Sequence, residues 1–483
     1  MRKLTVCLAL VGLLALGGQA IAEICTIDDV PAATLLLPYF EVDLSNPSGT
    51  TTLFSINNAS AASAVAHVTL WTDESIPTLD FDVFLTGYDV QTINLRDIFN
   101  GILPRTADNG VDPDTPGVTA TAISNQGAIS LPDPIGDADF AGTSGPCGGA
   151  STLYPAFPTP ALTPTLISHI RNSHTGLSSP VYGGCVGLNY GDNIARGYVT
   201  VDSVNQCNLQ FPSSTGYFAP GGTGLANNNN VLWGDYFYVT PGENFAQGET
   251  LVHIEACSTL PPPVTGSQNP IGIVQTGPSV GQNADDCPFV PGDYTFYGRY
   301  VAAAATDQRE PLASNFGSRF AVGGGFDAGT DLIVWRDAKL ALGATIPVHS
   351  CTVGRFSWVP LNQADVVAFD EAENPQDLCF QGDNFSPPTG GAETCFPVEA
   401  QRVNLQNSDV PFGATPAPTA TFGWIFLNLN TTVAGQVAGL PAPVSQAWVT
   451  TSMAAEGRYA VGYDAIKLDT VCDNLTGGVL LIP

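Results

Sequence analysis

Residues 51–95 read TTLFSINNASAASAVAHVTLWTDESIPTLDFDVFLTGYDVQTINL, and this stretch decides the fold class. Its apolar runs at 51–56, 64–71, 79–85 and 90–95 are separated by short turns of Ser, Asn, Asp, Gly and Pro. Gln91, Ile93 and Leu95 alternate with Val90, Thr92 and Asn94, and Phe81, Val83 and Leu85 alternate with Asp82 and Phe84. A period of two puts successive side chains on opposite faces of a strand, whereas a helix needs a period near 3.6. The Val, Ile, Thr and aromatic residues that fill these runs suit a pleated, half-buried surface.

The pattern continues at 195–204, 231–239, 250–256, 294–303, 331–335, 422–429, 447–451 and 458–468. A helical reading is confined to a turn or two at 96–101 and to residues 31–37. The 51 glycines and 38 prolines punctuate these runs without a collagen period. The expectation is a mainly β protein of antiparallel β-sandwich or jelly-roll units with very little helix. An outer-membrane barrel fits poorly, because Pro-rich stretches and many cysteines interrupt the even strand spacing it requires.

The chain opens with Arg2 and Lys3, an apolar run at 4–16 and the small-residue triplet Ala20, Ile21, Ala22. This is the order of a signal peptide, with an apolar run too short to cross a bilayer, so export with cleavage before Glu23 and no transmembrane anchor in the mature chain is expected. Cys7 leaves with that segment. The remaining ten cysteines are Cys25, Cys147, Cys185, Cys207, Cys257, Cys287, Cys351, Cys379, Cys395 and Cys472. An even number in an exported chain predicts disulfides, and none lies two to four residues from another, as paired zinc ligands do. Connectivity does not follow from the sequence; the pairs expected first are Cys379 with Cys395, across a Gly/Pro loop, and Cys25 with Cys472, tying the two ends together.

The mature chain carries 13 basic and 44 acidic residues, a net charge of −31. A field of that sign repels nucleic acid and anionic lipid and excludes nucleic acid as a partner. Charged residues are nonetheless only 12% and apolar ones 44%, a composition that packs. Stretches rich in Pro, Gly, Ser, Thr and Asp at 104–117, 131–165, 258–282 and 412–420 divide it. The expected organisation is a β-sandwich unit at 23–110, a linker at 111–165, a central β-rich region at 166–305 and a C-terminal β-sandwich unit at 306–483.

Two internal echoes point to duplication. Residues 91–95, QTINL, match 401–405, QRVNL, and the preceding runs correspond in kind, 52–56 with 330–335 and 64–74 with 366–373. The offset grows from 278 at the first run to 310 at the last, so the second copy carries extra loop, where Cys351, Cys379 and Cys395 lie. The other echo is RFAVG at 319–323 against RYAVG at 458–462.

Signatures with a mechanical meaning, G-x-S-x-G, H-E-x-x-H, the P-loop and a helix-opening G-x-G-x-x-G, are absent. Asp108, Asp112 and Asp114, in DNGVDPD, place carboxylates around a glycine as calcium loops do, but the closing glutamate is missing and Pro113 intrudes, so an acidic turn is the first expectation and calcium the second. His67 and His253 fall in strands, where a neutral, hydrogen-bonded ring is expected, and His169 and His174 flank Arg171 in a loop-like stretch. Asp73, Glu74, Asp80, Asp82, Asp370, Glu371 and Glu373 are acids near enough for glycoside hydrolysis, yet nothing singles out a pair. Trp71, Trp233, Trp335, Trp358, Trp424 and Trp448 lie in or beside strands, so core packing is expected for each. The leading expectation is a non-enzymatic secreted or cell-surface structural or adhesion-type protein, with self-association or a glycan as its partner. The alternative is a secreted carbohydrate-binding or carbohydrate-active protein using paired carboxylates and aromatic side chains.

Overall fold

The alternating runs are strands. A computed structural model of the protein describes residues 30–104, 162–256, 307–338, 348–353, 361–378, 395–406, 418–430, 445–455 and 459–468, apart from residues 63, 86, 207–209, 213, 308, 311, 349, 362 and 364. In the first half these are β1 (Thr34–Asp43), β2 (Thr51–Asn58), β3 (Ala64–Thr72), β4 (Pro77–Leu85), β5 (Val90–Asn94), α1 (Leu95–Phe99), α2 (Pro164–His174), β6 (Ile194–Val204), β7 (Leu232–Trp233), β8 (Asp235–Thr240), β9 (Phe245–Thr250) and β10 (Val252–Ile254). The second half holds β11 (Asn315–Ala321), β12 (Gly329–Ala338), β13 (Asp365–Asp370), β14 (Pro375–Asp377), β15 (Ala400–Asn404), β16 (Phe422–Asn428), β17 (Ser445–Ala455), β18 (Tyr459–Asp464) and β19 (Ile466–Lys467).

Two expectations about helix are corrected. Residues 31–37 lead into β1, not a helix; Leu35, Leu36 and Leu37 are all buried, so no alternation survives in the sequence, and a continuous apolar run does not distinguish the two. Residues 164–174 form a helix rather than a loop. Thr163 caps it by accepting from the Leu166 amide, and Pro164 takes the first turn, where a missing N–H costs nothing.

Pairing is antiparallel throughout the described ladders. Four sheets result: sheet A, ordered β5-β2-β8-β9 with β7 on β2; sheet B, β10-β1-β6-β3-β4; sheet C, β15-β12-β17-β18; and sheet D, β14-β13-β16-β11-β19. β1–β5 and β6–β10 interleave in sheets A and B, so these sheets join the regions 23–110 and 166–305. Phe54, Ile56 and Ile93 of sheet A share one core with Leu35, Val68, Leu70, Phe81 and Val201 of sheet B. Leu332, Val334, Val403 and Val449 of sheet C share a second with Phe316, Phe320, Ile425 and Leu427 of sheet D.

The two halves have the same topology. Replacing each strand of sheets A and B by its counterpart, β1 by β11, β2 by β12, β3 by β13 and so on, with β8, β9 and β10 matching β17, β18 and β19, reproduces the orders of sheets C and D. Register agrees residue by residue: Leu53 faces Asn94 and Phe54 faces Ile93, as Asp331 faces Asn404 and Leu332 faces Val403. These are the offsets of 278 and 310 read from the sequence. Asn94 and Asn404 each accept the amide two residues on, from Arg96 at 3.0 Å and Gln406 at 2.8 Å, and Leu95 and Leu405 are both fully buried. The β3–β4 turn places Ser75 at φ 61 and the β13–β14 turn places Glu373 at φ 63, each with its amide bonded three residues back. The echo of 319–323 with 458–462 is corrected: residues 319–321 lie in β11 of sheet D and 459–462 in β18 of sheet C, whose counterpart is β9.

One glycine recurs for a steric reason. A Cβ on Gly197 of β6 would run into the Trp71 carbonyl oxygen, and one on Gly423 of β16 into that of Phe369, the equivalent residue. Gly197→Ala and Gly423→Ala should each destabilise the fold by about 1–3 kcal/mol, the cost of forcing atoms into a packed site. Urea titration of the two variants checks this, and two unchanged midpoints would contradict the close approach.

Candidate binding faces and a buried polar cluster

Each sheet has one face toward the core of its own unit and one away from it. The outward face of sheet B is covered. On it Trp71 and Tyr198, paired across β3–β6, stack with ring centroids 5.7 Å apart and planes 2° apart. Trp335 of sheet C meets Tyr198 edge-on at 5.9 Å. Its neighbours Ile333 and Trp448 on the same face of sheet C also join the first core, while Leu332 and Val334, pointing the other way, belong to the second. Sheet C of one unit is thus packed, face on, against sheet B of the other. Arg402 of β15 donates to Glu41 of β1 at 3.3 Å, the Glu399 amide donates to the Asp73 carbonyl at 2.9 Å, and the Cys185–Cys351 disulfide crosses between the halves.

The same covered face carries polar groups. His67 Nδ1 lies 2.8 Å from Asp82 Oδ1 and its Nε2 lies 3.7 Å from Asp80 Oδ2. Asp202, paired with His67 across the ladder, accepts from the Tyr217 and Thr34 hydroxyls at 2.6 and 2.5 Å and faces Arg309 at 3.5 Å. Burial disfavours a charged His67, but the charge and hydrogen bond of Asp82, with Asp80 and Asp202, outweigh it and hold the pKa up to about 9. The expectation of a neutral ring is therefore corrected: two carboxylates from β4 face it, a pairing that becomes visible only when the β3–β4 register is known. Burial pushes Asp80 up to about 6 against the opposing charge of His67. His67 Nε2, Thr69 Oγ1 and Asp80 Oδ2 have no hydrogen-bond partner among the described residues.

The other acids named from the sequence do not form an open catalytic pair. Asp73 and Glu74 are each 2% exposed; burial, then Glu74, raises Asp73 well above the usual carboxylate range. Asp370, Glu371 and Glu373 sit in the β13–β14 hairpin, where Asp370 accepts from the Ala372 and Asn374 amides. Burial drives His174 down to about 3 and lowers His169, so both rings on α2 are neutral at physiological pH. His253 hydrogen-bonds the Val30 carbonyl at 2.9 Å.

Asp108, Asp112 and Asp114 lie outside the described residues, and so do Trp358, Cys25, Cys147, Cys207, Cys257, Cys287, Cys379 and Cys472. Cys185 and Cys351 are joined, and Cys395 is itself disulfide-bonded. Among the described residues no group of three or more His, Cys, Asp or Glu could hold a metal ion, and no helix is long and apolar enough to cross a membrane.

The tryptophans divide. Trp71, Trp335 and Trp448 are core residues, as expected, but Trp233 is 43% exposed and Trp424 38%, which corrects the expectation for those two. Their surroundings are equivalent to the covered contact. Phe369 and Trp424 pair across β13–β16 at the positions of Trp71 and Tyr198 and stack likewise, centroids 4.5 Å apart and planes 10° apart, with Phe422 and Ile466 exposed on the same face of sheet D. Trp233 pairs with Asn57 on the outward face of sheet A, where Trp448 pairs with Trp335 in sheet C, and exposed Phe237 and Val90 share its face. No protein-family model and no curated protein matches the chain.

Proposed function

We propose that the chain is a non-enzymatic secreted or cell-surface structural or adhesion-type protein, made of two like β-sandwich units at about residues 30–256 and 312–468. One observation carries this reading. Among the described residues, the acids and histidines that could serve catalysis are turned into cores or hairpins, and the broad outward faces of sheets A and D bear Trp233 with Phe237 and Trp424 with Phe369. Catalysis needs titratable groups that reach a substrate, whereas attachment needs apolar area and rigid support. The shared core of each sheet pair supports a sandwich, and the ordered basic, apolar and small-residue parts of residues 1–22 support export.

The second reading, a carbohydrate-binding protein, is favoured by the coplanar Phe369 and Trp424 rings, since exposed aromatic faces also accept sugar C–H groups. Fractionation of the producing cells, with the recovered protein offered a panel of polysaccharides, tests both. The expected result is a chain lacking residues 1–22 in the medium or at the surface, releasing no reducing ends. Retention inside the cell, or turnover abolished by one Asp→Asn change, would replace the structural reading.

A further inference from the structure

We propose that copies of this chain associate head to tail, the outward face of sheet A of one copy docking on the outward face of sheet D of the next. The proposal deepens the structural reading above and rests on it, naming a second copy of this chain as the partner.

The template for the contact lies inside the molecule. Sheets A and C are equivalent by strand order and register, and so are sheets B and D. Within one chain, the outward face of C covers the outward face of B, burying Trp335, which meets the stacked Tyr198 edge-on, and its ladder partner Trp448. The two units therefore meet through different faces, B of the first and C of the second, which is a heterologous contact. Such a contact consumes one face of each unit and leaves the equivalent of the other face open: A on the first unit and D on the second. Repeating the operation joins A to D, and it yields a ring if the rotation closes and an open filament if it does not.

The open faces keep the features the covered ones use. The stacked pair is retained on D as Phe369 and Trp424, beside a glycine, Gly423, at the place of Gly197. Trp233 on A holds the place of Trp448 on C. Arg319 faces Trp424 across β11–β16 and Asp235 follows two residues after Trp233, so a cation and an anion stand beside the two aromatic centres, while Asp365 and Asp377 lie farther along the face of sheet D. Exposures of 43% for Trp233, 41% for Phe237, 43% for Phe422, 38% for Trp424 and 71% for Ile466 leave apolar area at both ends of the stack. The net charge of −29 opposes association of whole chains, so added salt should strengthen the contact by screening that repulsion.

Sedimentation velocity of the purified full chain across a concentration series, at low and high salt, measures the association, with electron microscopy of the products. The expected result is growth beyond a dimer as concentration rises, enhanced by salt. Trp233→Asp and Trp424→Asp, on exposed faces, should each keep the wild-type melting curve and weaken association at least tenfold. Mixed in equal amounts they should form a dimer and stop there, because one retains only a working D face and the other only a working A face. A monomer at every concentration overturns the proposal, and so does dimerisation of either variant alone, which would mean a symmetric contact. Particle size is read independently of location and turnover, so failure here leaves the structural reading standing, and failure of that reading is seen in the fractionation instead.

Discussion

Trp335→Ala should destabilise the protein by about 3–5 kcal/mol, the cost of emptying a fully buried tryptophan site. Its ring meets Tyr198 edge-on at 5.9 Å, and Tyr198 in turn stacks on Trp71, so the truncation removes the middle of the contact between the two units. Two consequences separate it from an ordinary core deletion. The units should lose part of their coupling, so that calorimetry resolves two transitions where the parent shows one, and Trp335→Phe should restore most of the loss by keeping an aromatic edge on Tyr198. Trp233→Ala, on the equivalent but open face, should shift the stability of the single chain by no more than about 0.5 kcal/mol. Equal effects at Trp233 and Trp335 would contradict the covered and open assignment of the two faces.

That contrast also marks how far the sequence could be read. Where one face of a strand looks into a core and the other outward, as in β5 and β16, the alternation is written in the residues, and the strand is found within a residue or two. Where both faces are covered, as in β1, the signal vanishes for a physical reason: there is no polar side to alternate with. The duplication was legible because register is fixed by side chains that point inward. Gln91, Ile93 and Leu95 match Gln401, Val403 and Leu405 in kind, all buried, and Asn94 matches Asn404 because each accepts the amide two residues on, whereas Thr92 and Arg402, which face outward, differ. The RFAVG and RYAVG pair shows the converse, a match of strand composition with no shared place in the sheets.

The outward faces were not legible. Whether a tryptophan at the end of a strand is core or surface depends on which unit lies against it, and Trp233 and Trp448 occupy equivalent positions with 43% and 2% exposure. Strand pattern sets the side a residue is on, and the tandem arrangement sets whether that side meets solvent. The charge of His67 is hidden in the sequence for the same reason. Its partners, Asp80 and Asp82, are 13 and 15 residues away in sequence and come opposite it only through the β3–β4 ladder.

His67 gives a prediction whose sign can be worked out. Its folded pKa of about 9 stands above the ordinary histidine value of 6.5, so the folded state binds this proton more tightly. The resulting stabilisation is complete below pH 6.5 and is lost as pH rises through 9, on the order of 3 kcal/mol across the window. The groups facing the ring are Asp80 and Asp82 of β4, Asp202 of β6 with Arg309 beyond it, and Tyr217, whose ring lies edge-on at 6.0 Å. Asp80, raised to about 6, also favours the protonated folded state, but its window lies lower, between about pH 4 and 6. Urea melts between pH 6.5 and 9 should therefore show stability falling in the parent, and His67→Gln should flatten that fall, with titrations elsewhere cancelling in the difference. Asp82→Asn removes the nearest charge and leaves the ring in a dry site with weaker partners, which should cost about 3–5 kcal/mol at pH 7 and move the loss of stability to lower pH. A parent and a His67→Gln variant with parallel pH profiles would show that the ring is neutral throughout, and that the Asp82 contact is an ordinary hydrogen bond.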